Sequence, residues 1–83
     1  SLDVSGMTMI HLDYWTPDSS ALNLSLISTG PVETPYAIEV TAGQWVSVDI
    51  PLTEFSGVVD LTDVIQLKFD GNGTIFLDNI YFH

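Results

Sequence analysis

The feature that most constrains the fold of this chain is the alternation of apolar and polar side chains in several short segments. In the segment MIHLDYW at residues 9–15, Ile10, Leu12 and Tyr14 fall on one side of an extended chain. The residues between them fall on the other side. A period of two residues is that of a β-strand with one buried face, because successive side chains of a strand point in opposite directions. The segment therefore predicts a strand whose apolar side belongs to a hydrophobic core.

Five further segments have an extended pattern and are separated by turn-forming proline, glycine and serine residues. The predicted strands are Thr8–Trp15, Ala21–Ser28, Tyr36–Val40, Gln44–Ile50, Val64–Phe69 and Thr74–Phe82. No segment has a sustained helical period, and we expect only one turn of 3₁₀-helix near Thr53–Phe55. The segment Asp70–Gly73 contains the pair Asn-Gly, which is typical of a tight hairpin turn.

Short strands joined by glycine and proline turns are typical of a β-sandwich. We predict an all-β fold, an antiparallel β-sandwich of jelly-roll type, with residues 1–83 as a single domain. A jelly roll has eight strands, and only six are predicted here, so the sandwich would be incomplete in this chain. Unpaired strand edges invite pairing with another strand. We therefore expect upstream strands, or a neighbouring chain in a homo-oligomer, to complete the sandwich.

The charge balance excludes two classes of partner. The chain has eleven acidic residues and one basic residue, Lys68, and a formal net charge of −10. Binding to nucleic acid needs clustered lysine and arginine, and so does binding to an anionic membrane surface. We therefore expect no nucleic acid and no membrane as partners. The chain has no cysteine, which rules out disulfides and cysteine-based zinc sites.

A row of polar side chains is predicted when the strands are stacked side by side. Its members are His11, Asp13, Asp49, Gln66 and Lys68. Carboxylates, amides and a nearby aromatic side chain are the groups that bind sugar hydroxyls and sugar rings. A plain solvated sheet face has a similar composition, so the sequence leaves both interpretations open. For Lys68, the single basic residue, an ion pair with one of the acids is the favoured interpretation.

The two tryptophans are the candidates for stacking against a sugar ring. Trp15 ends the polar row at a loop, and we include it among the predicted ligand-binding residues as an exposed or interfacial side chain. The alternative for either ring is packing in the core, where a large aromatic side chain contributes mainly through burial.

Three segments resemble the second half of bacterial jelly-roll carbohydrate-binding modules. They are WVSVDIPLTEF at residues 45–55, DLTDVIQLKF at residues 60–69 and TIFLDNIYF at residues 74–82, and the opening segment DVSGMTMIHLDYW is similar to an internal strand of such modules. These modules belong to the galactose-binding-like superfamily and are attached to secreted glycoside hydrolases of Bacteroidetes. The resemblance implies a non-catalytic, secreted or cell-surface module that binds a polysaccharide. It also implies a structural calcium ion, with Asp78 as a ligand, and a structural role for Trp45, packed in the core.

Two other interpretations of the chain follow from its residues. Asp13 and Asp49 are a conceivable glycosidase pair, but chance carboxyl pairs are abundant in a small acidic domain, and we predict that the protein is not an enzyme. The alternative to carbohydrate binding is a structural β-sandwich subunit that self-assembles into an extracellular oligomer or filament. High hydrophobicity, low charge and the missing strands favour this alternative, whereas the family resemblance favours carbohydrate binding.

Overall fold

The computed structural model describes all 83 residues and contains six strands and one turn of 3₁₀-helix. The strands are β1 (Met9–Trp15), β2 (Leu22–Ser28), β3 (Val32–Ile38), β4 (Val46–Pro51), β5 (Val64–Gly71) and β6 (Phe76–Phe82), and the 3₁₀ turn spans Leu52–Glu54. Every predicted strand is present. The largest difference is the start of β3, which lies at Val32 rather than Tyr36. No helix of the length and hydrophobicity needed to cross a lipid bilayer is present.

The six strands form two three-stranded sheets with the orders β4-β1-β6 and β3-β2-β5. All neighbouring strands are antiparallel. The central strands are therefore β1 in one sheet and β2 in the other. The prediction of an all-β, antiparallel β-sandwich is confirmed.

The core lies between the two central strands, as the alternation predicts. Ile10, Leu12 and Tyr14 of β1 are 0% exposed, and three leucines of β2, at positions 22, 24 and 26, are also buried. The hydroxyl of Tyr14 donates a hydrogen bond to the carbonyl oxygen of Glu39 at 3.2 Å and accepts one from the amide of Thr41 at 2.9 Å. These bonds satisfy the one polar group of a buried ring and fix the connection between β3 and β4.

Strand β3 begins earlier than predicted because it lies at the edge of its sheet. Pro35 has no amide hydrogen, and a proline inside a predicted strand favours a break. In the structure, Pro35 lies opposite Ser25 of β2, and β3 has no partner on its other side. An edge strand tolerates proline there because no ladder hydrogen bond is lost on the free side.

The loop from β5 to β6 is not the predicted hairpin, because the two strands belong to different sheets. The loop is held instead by the turn that follows β1. The side-chain oxygen of Asn72 accepts a hydrogen bond from the amide of Ser20 at 2.8 Å, and Asp18 accepts one from the amide of Thr74 at 2.9 Å. Gly73 has a φ of 68° there, and a Cβ atom would clash with Asp18 Oδ1. Only glycine fits this contact.

Candidate functional site

The outer face of the β4-β1-β6 sheet, which we call the β1 face, carries most of the polar and aromatic side chains that the sequence singles out. Its members are His11, Asp13, Trp15, Trp45, Ser47, Asp49, Phe76, Asp78, Asn79, Tyr81 and His83. Strand β1 lies in the middle, with β4 on one side and β6 on the other. The antiparallel register places Asp49 and Tyr81 beside His11, and Ser47 and Asp78 beside Asp13.

Asp13 is the centre of a hydrogen-bonded network on this face. Its Oδ1 accepts hydrogen bonds from Ser47 Oγ at 2.6 Å and from His11 Nε2 at 2.9 Å. Its Oδ2 accepts one from Asn79 Nδ2 at 2.7 Å. The bonds from Ser47 and Asn79 contribute most to a lowered pKa of the Asp13 carboxyl. The carboxylate is therefore ionised and held in one orientation.

His11 joins two carboxylates through its two ring nitrogens. Nδ1 lies 2.9 Å from Asp49 Oδ1, and Nε2 lies 2.9 Å from Asp13 Oδ1. A neutral imidazole has a single N–H, so both contacts are hydrogen bonds only when the ring is protonated. The bond to Asp49 raises the pKa of His11, partial burial opposes this, and the bond to Asp13 adds to the rise. When its ring is protonated, His11 thus bridges β1 and β4 through both ring nitrogens.

The last residue of the chain extends the network. His83 Nε2 donates to Asp49 Oδ1 at 2.8 Å, and its backbone pairs with that of Met9 through two hydrogen bonds of 2.9 Å. The bonds from His83 and then His11 lower the pKa of the Asp49 carboxyl. The ring of Tyr81 stacks on that of His11, with centroids 4.8 Å apart and planes 22° apart. Aromatic packing therefore supports the polar network from the side of β6.

A β-bulge in β6 places Asn79 in the network. The register between β1 and β6 shifts between His11 and Asp13, and Asn79 has a φ of 51°, in the left-handed region. Asparagine adopts this conformation more readily than most residues. A bulge redirects the side chains of its strand, and here the side chain of Asn79 is directed at Asp13 rather than continuing the alternation.

A shallow cavity of about 280 Å³ lies next to the network. It is lined by Asp13, Trp45, Ser47, Asp78 and Asn79. Trp45 is 58% exposed, so the prediction that it packs in the core is wrong. Trp45 directly precedes β4, and the alternation of that strand places it on the same side as Ser47 and Asp49, which is the outer side. The cavity combines an indole ring with carboxylate, hydroxyl and amide groups, which together supply both hydrogen-bond donors and acceptors.

Trp15 lies at one end of the β1 face and is half-buried. Its ring packs against Phe76 of β6, with centroids 5.9 Å apart and planes 56° apart. Phe76 and Tyr81 are themselves about half exposed. The β1 face therefore presents three well-exposed aromatic rings, those of Trp45, Phe76 and Tyr81, around its polar centre.

Gln66 and Lys68 do not belong to this face, and the prediction of a single polar row is wrong for both. They lie on β5, which pairs with β2 in the opposite sheet. The chain crosses from one sheet to the other between β4 and β5. The predicted row assumed that all the strands lie in a single sheet, and that assumption does not hold for β5. Lys68 Nζ lies 2.7 Å from Glu33 Oε2, which confirms the predicted ion pair. The hydrogen bond with Glu33 also raises the pKa of Lys68.

Asp78 lines the cavity, and one of its carboxylate oxygens accepts a hydrogen bond from the amide of Asn79 at 2.8 Å. No three histidine, aspartate or glutamate side chains converge as a set of metal ligands. Calcium binding through Asp78 stays a prediction. Neither Asp13 nor Asp49 has the raised pKa that the general acid of a glycosidase needs.

Four network or stacking residues were not among the sequence candidates: Ser47, Asn79, Tyr81 and His83. Ser47 could have been found from the alternation of β4, which places it beside Asp49. The pair Asp78-Asn79 puts two polar residues in succession within an otherwise apolar strand. Such an interruption indicates a bulge. The sequence contains no comparable indication that His83 folds back onto Asp49.

No protein-family model, no curated protein and no solved structure matches this chain. The resemblance to jelly-roll carbohydrate-binding modules therefore depends on the sequence segments alone.

Proposed function

We propose that this protein is a secreted, non-catalytic carbohydrate-binding module that binds a neutral polysaccharide on its β1 face. The observation that carries the proposal is the cavity in which the exposed ring of Trp45 adjoins Asp13, Ser47, Asp78 and Asn79. A sugar ring has an apolar face of C–H groups and a rim of hydroxyls. An exposed indole ring can pack against the C–H face, and carboxylate and amide groups can form hydrogen bonds with the hydroxyls.

The polar groups of the cavity are held in place before any ligand binds. Ser47, His11 and Asn79 all donate to Asp13, and Asn79 is also fixed by the bulge. Each carboxylate has about four lone-pair sites, so Asp13 and Asp78 keep acceptor capacity for sugar hydroxyls. Groups that are already ordered lose little conformational entropy on binding. This arrangement supports recognition of a defined sugar unit.

The charge of the chain selects among polysaccharides. A net charge of −10 repels anionic polymers such as alginate or sulfated galactans. Two carboxylates, those of Asp13 and Asp78, also line the cavity itself. Both features favour a polysaccharide without charged groups.

Affinity electrophoresis in gels that contain one polysaccharide each tests the proposal. We expect retardation by at least one neutral polysaccharide among β-glucans, mannans, xylans and galactans, and none by alginate or pectin. Replacement of Trp45 by alanine should abolish the retardation, whereas Gln66→Ala, on the opposite sheet, should leave it unchanged. Mobility unaffected by every neutral polymer, or equal retardation of the Trp45 and Gln66 variants, would overturn the proposal.

A structural, self-assembling subunit is the second candidate function. The observation that favours it is a set of exposed apolar side chains near the edges of β5 and β6, namely Leu2, Ile65 and Ile80. Such side chains favour association between chains. Light scattering distinguishes the two candidates, because assembly predicts a large particle without any polysaccharide, and carbohydrate binding predicts a monomer that is retarded in the gel.

A further inference from the structure

The strand register places two exposed aromatic rings at the same end of the β1 face. Trp15 of β1 lies opposite Phe76 of β6. Tyr14 lies opposite Val46 of β4, so Trp45, the residue before Val46, flanks Trp15 from the other side. Trp45 and Phe76 are 58% and 53% exposed, whereas Trp15 between them is half-buried and packs against Phe76. These three side chains form an aromatic row that crosses the strands.

The spacing of the aromatic row matches the repeat of a sugar chain. Neighbouring strands are about 4.8 Å apart, so the backbones of Trp45 and Phe76, on either side of β1, are about 10 Å apart. A pyranose ring and its glycosidic oxygen span about 5 Å at bond lengths of about 1.5 Å. A sugar chain that lies along the row therefore places two residues on the two exposed rings, with one residue between them.

The cavity of the β1 face supplies a polar row beside the aromatic row. Its lining includes Ser47 of β4, Asp13 of β1, and Asp78 and Asn79 of β6, so the cavity crosses all three strands. Ser47 and Asp78 lie opposite Asp13 on its two sides. Each strand reaches this polar row two residues after or before the aromatic row, which is about 7 Å along the strand. Hydroxyls on one side of a chain on the aromatic row can therefore reach the polar groups.

No strand closes the aromatic row at either end. Strands β4 and β6 are the outer strands of their sheet, and each has a neighbour only on the β1 side. A site for the terminal residue of a polysaccharide is a pocket that encloses that residue on most sides. On the β1 face, a sugar chain can continue past Trp45 and past Phe76. The face is thus suited to residues in the interior of a chain.

We propose that the ligand is an interior segment of a linear, neutral polysaccharide, which lies across the strands from Trp45 to Phe76. This inference rests on the proposed function and adds the length of the bound segment and its direction. Two sugar residues, separated by a third, pack against the two exposed rings. Hydroxyls along one side of the segment bind the polar row. Trp15 packs against Phe76 and supports its ring.

A second copy of the chain fits this face less well than a neutral polymer. Two copies with a net charge of −10 repel each other. Paired face to face, they would also bring the carboxylates of Asp13, Asp49 and Asp78 of one copy towards those of the other, with no lysine or arginine on this face to compensate.

Calorimetric titration with oligosaccharides of increasing length tests the proposal. The oligosaccharides are cut from the polysaccharide that retards the protein in the gel and range from the monosaccharide to the hexasaccharide. We expect the affinity to be weakest for the monosaccharide and to rise up to the trisaccharide. Reduction of the terminal residue of the hexasaccharide to its alditol should leave the affinity unchanged, because interior residues make the contacts.

Substitutions at Phe76 test the far end of the aromatic row. Phe76→Leu removes one ring and should lower the affinity for the trisaccharide at least about fivefold, whereas Phe76→Tyr keeps a ring and should retain the affinity. The control is Ile65→Ala, which shortens a similarly exposed apolar side chain on the opposite sheet, and it should have no effect.

Three results would overturn the proposal while carbohydrate binding through Trp45 still stands. They are a monosaccharide that binds as tightly as the hexasaccharide, an alditol that loses affinity, and equal affinities of the Phe76→Leu and Ile65→Ala variants for the trisaccharide. If no neutral polysaccharide or oligosaccharide binds at all, the proposed function itself is wrong and this inference is wrong with it.

Discussion

The outer faces of the two sheets differ in what they offer to a ligand. The β1 face has exposed aromatic rings and a hydrogen-bonded network beside a cavity. On the β3-β2-β5 sheet, the aromatic rings of Tyr36 and Phe69 pack against the core instead. Its outer polar groups pair with each other, Lys68 with Glu33 at 2.7 Å and Asn23 with Asp70 at 3.1 Å.

The comparison shows that alternation places side chains on a face but does not decide the chemistry of that face. Both sheets present polar residues to solvent with the same period. On both sheets these residues form cross-strand pairs, as antiparallel sheets commonly do. On the β1 face, carboxylates and an indole also surround an open cavity. This difference is why we propose binding on the β1 face alone.

The largest effect is expected from the core that supports both faces. Leu12 of β1 is fully buried and precedes Asp13, which lies on the β1 face. Leu12→Ala should lower the free energy of unfolding by about 2–5 kcal/mol, because it removes buried methyl groups and leaves a cavity. Urea unfolding followed by tryptophan fluorescence measures this loss. A loss below about 1 kcal/mol would contradict the assignment of Leu12 to the core.

A matched pair of substitutions separates the two faces directly. Asp13→Asn replaces an acceptor of three side-chain hydrogen bonds with an amide, and Asp70→Asn makes the same change on the opposite sheet. We expect the first to weaken polysaccharide binding about tenfold and the second to leave it unchanged, because only Asp13 holds the cavity residues in place. Isothermal titration calorimetry with the polysaccharide that retards the protein in the gel gives the dissociation constants of the two variants. An equal loss of affinity in the two variants would contradict the proposal that only the β1 face binds the polysaccharide.

The network on the β1 face should make stability depend on pH. The pKa of His11 is raised above its ordinary 6.5, so its contribution is complete below pH 6.5 and is lost as the pH rises through the folded-state value. The pKa values of Asp13 and Asp49 are lowered below 3.8, so their contributions are present above pH 3.8 and are lost as the pH falls through their folded-state values. Thermal unfolding should therefore show the highest Tm between these two pH values.

The His11→Gln variant is the control for the alkaline side of this profile. It keeps a side chain that can form hydrogen bonds but removes the group that titrates. The fall in Tm above pH 6.5 should become shallower in this variant. An unchanged slope would show that groups outside the β1 face cause the fall.

The smallest effect is expected from the ion pair on the opposite sheet. Lys68 and Glu33 are both exposed, and exposed ion pairs contribute little because solvent and salt screen them. Lys68→Gln should leave the Tm and the polysaccharide affinity unchanged within error. Reduced affinity in this variant would extend the binding surface to the β3-β2-β5 sheet.

The sequence predicts those parts of the fold that depend on local alternation. The strands, the buried side of β1 and the outward positions of His11 and Asp13 follow from the period of two residues. The ion pair of Lys68 follows from the charge balance, since a lone base among eleven acids has many partners available.

Properties that depend on distant parts of the chain could not be predicted in this way. Gln66 belongs to the opposite sheet because β5 pairs with β2, which is a long-range choice. Asn79 joins the network because a bulge changes its direction. For Trp45, the alternation indicated the correct side of the strand, and the family resemblance led to the wrong prediction of burial.

The most direct test of the central claim is a map of amide and indole chemical shifts during titration of the labelled protein with a neutral polysaccharide that retards it. Binding on the β1 face predicts the largest changes at the indole N–H of Trp45 and at the amides of Asp13, Ser47 and Asn79. It predicts no change at Gln66 or Lys68. Shift changes centred on the β3-β2-β5 sheet, or on the open side between β5 and β6, would contradict the claim.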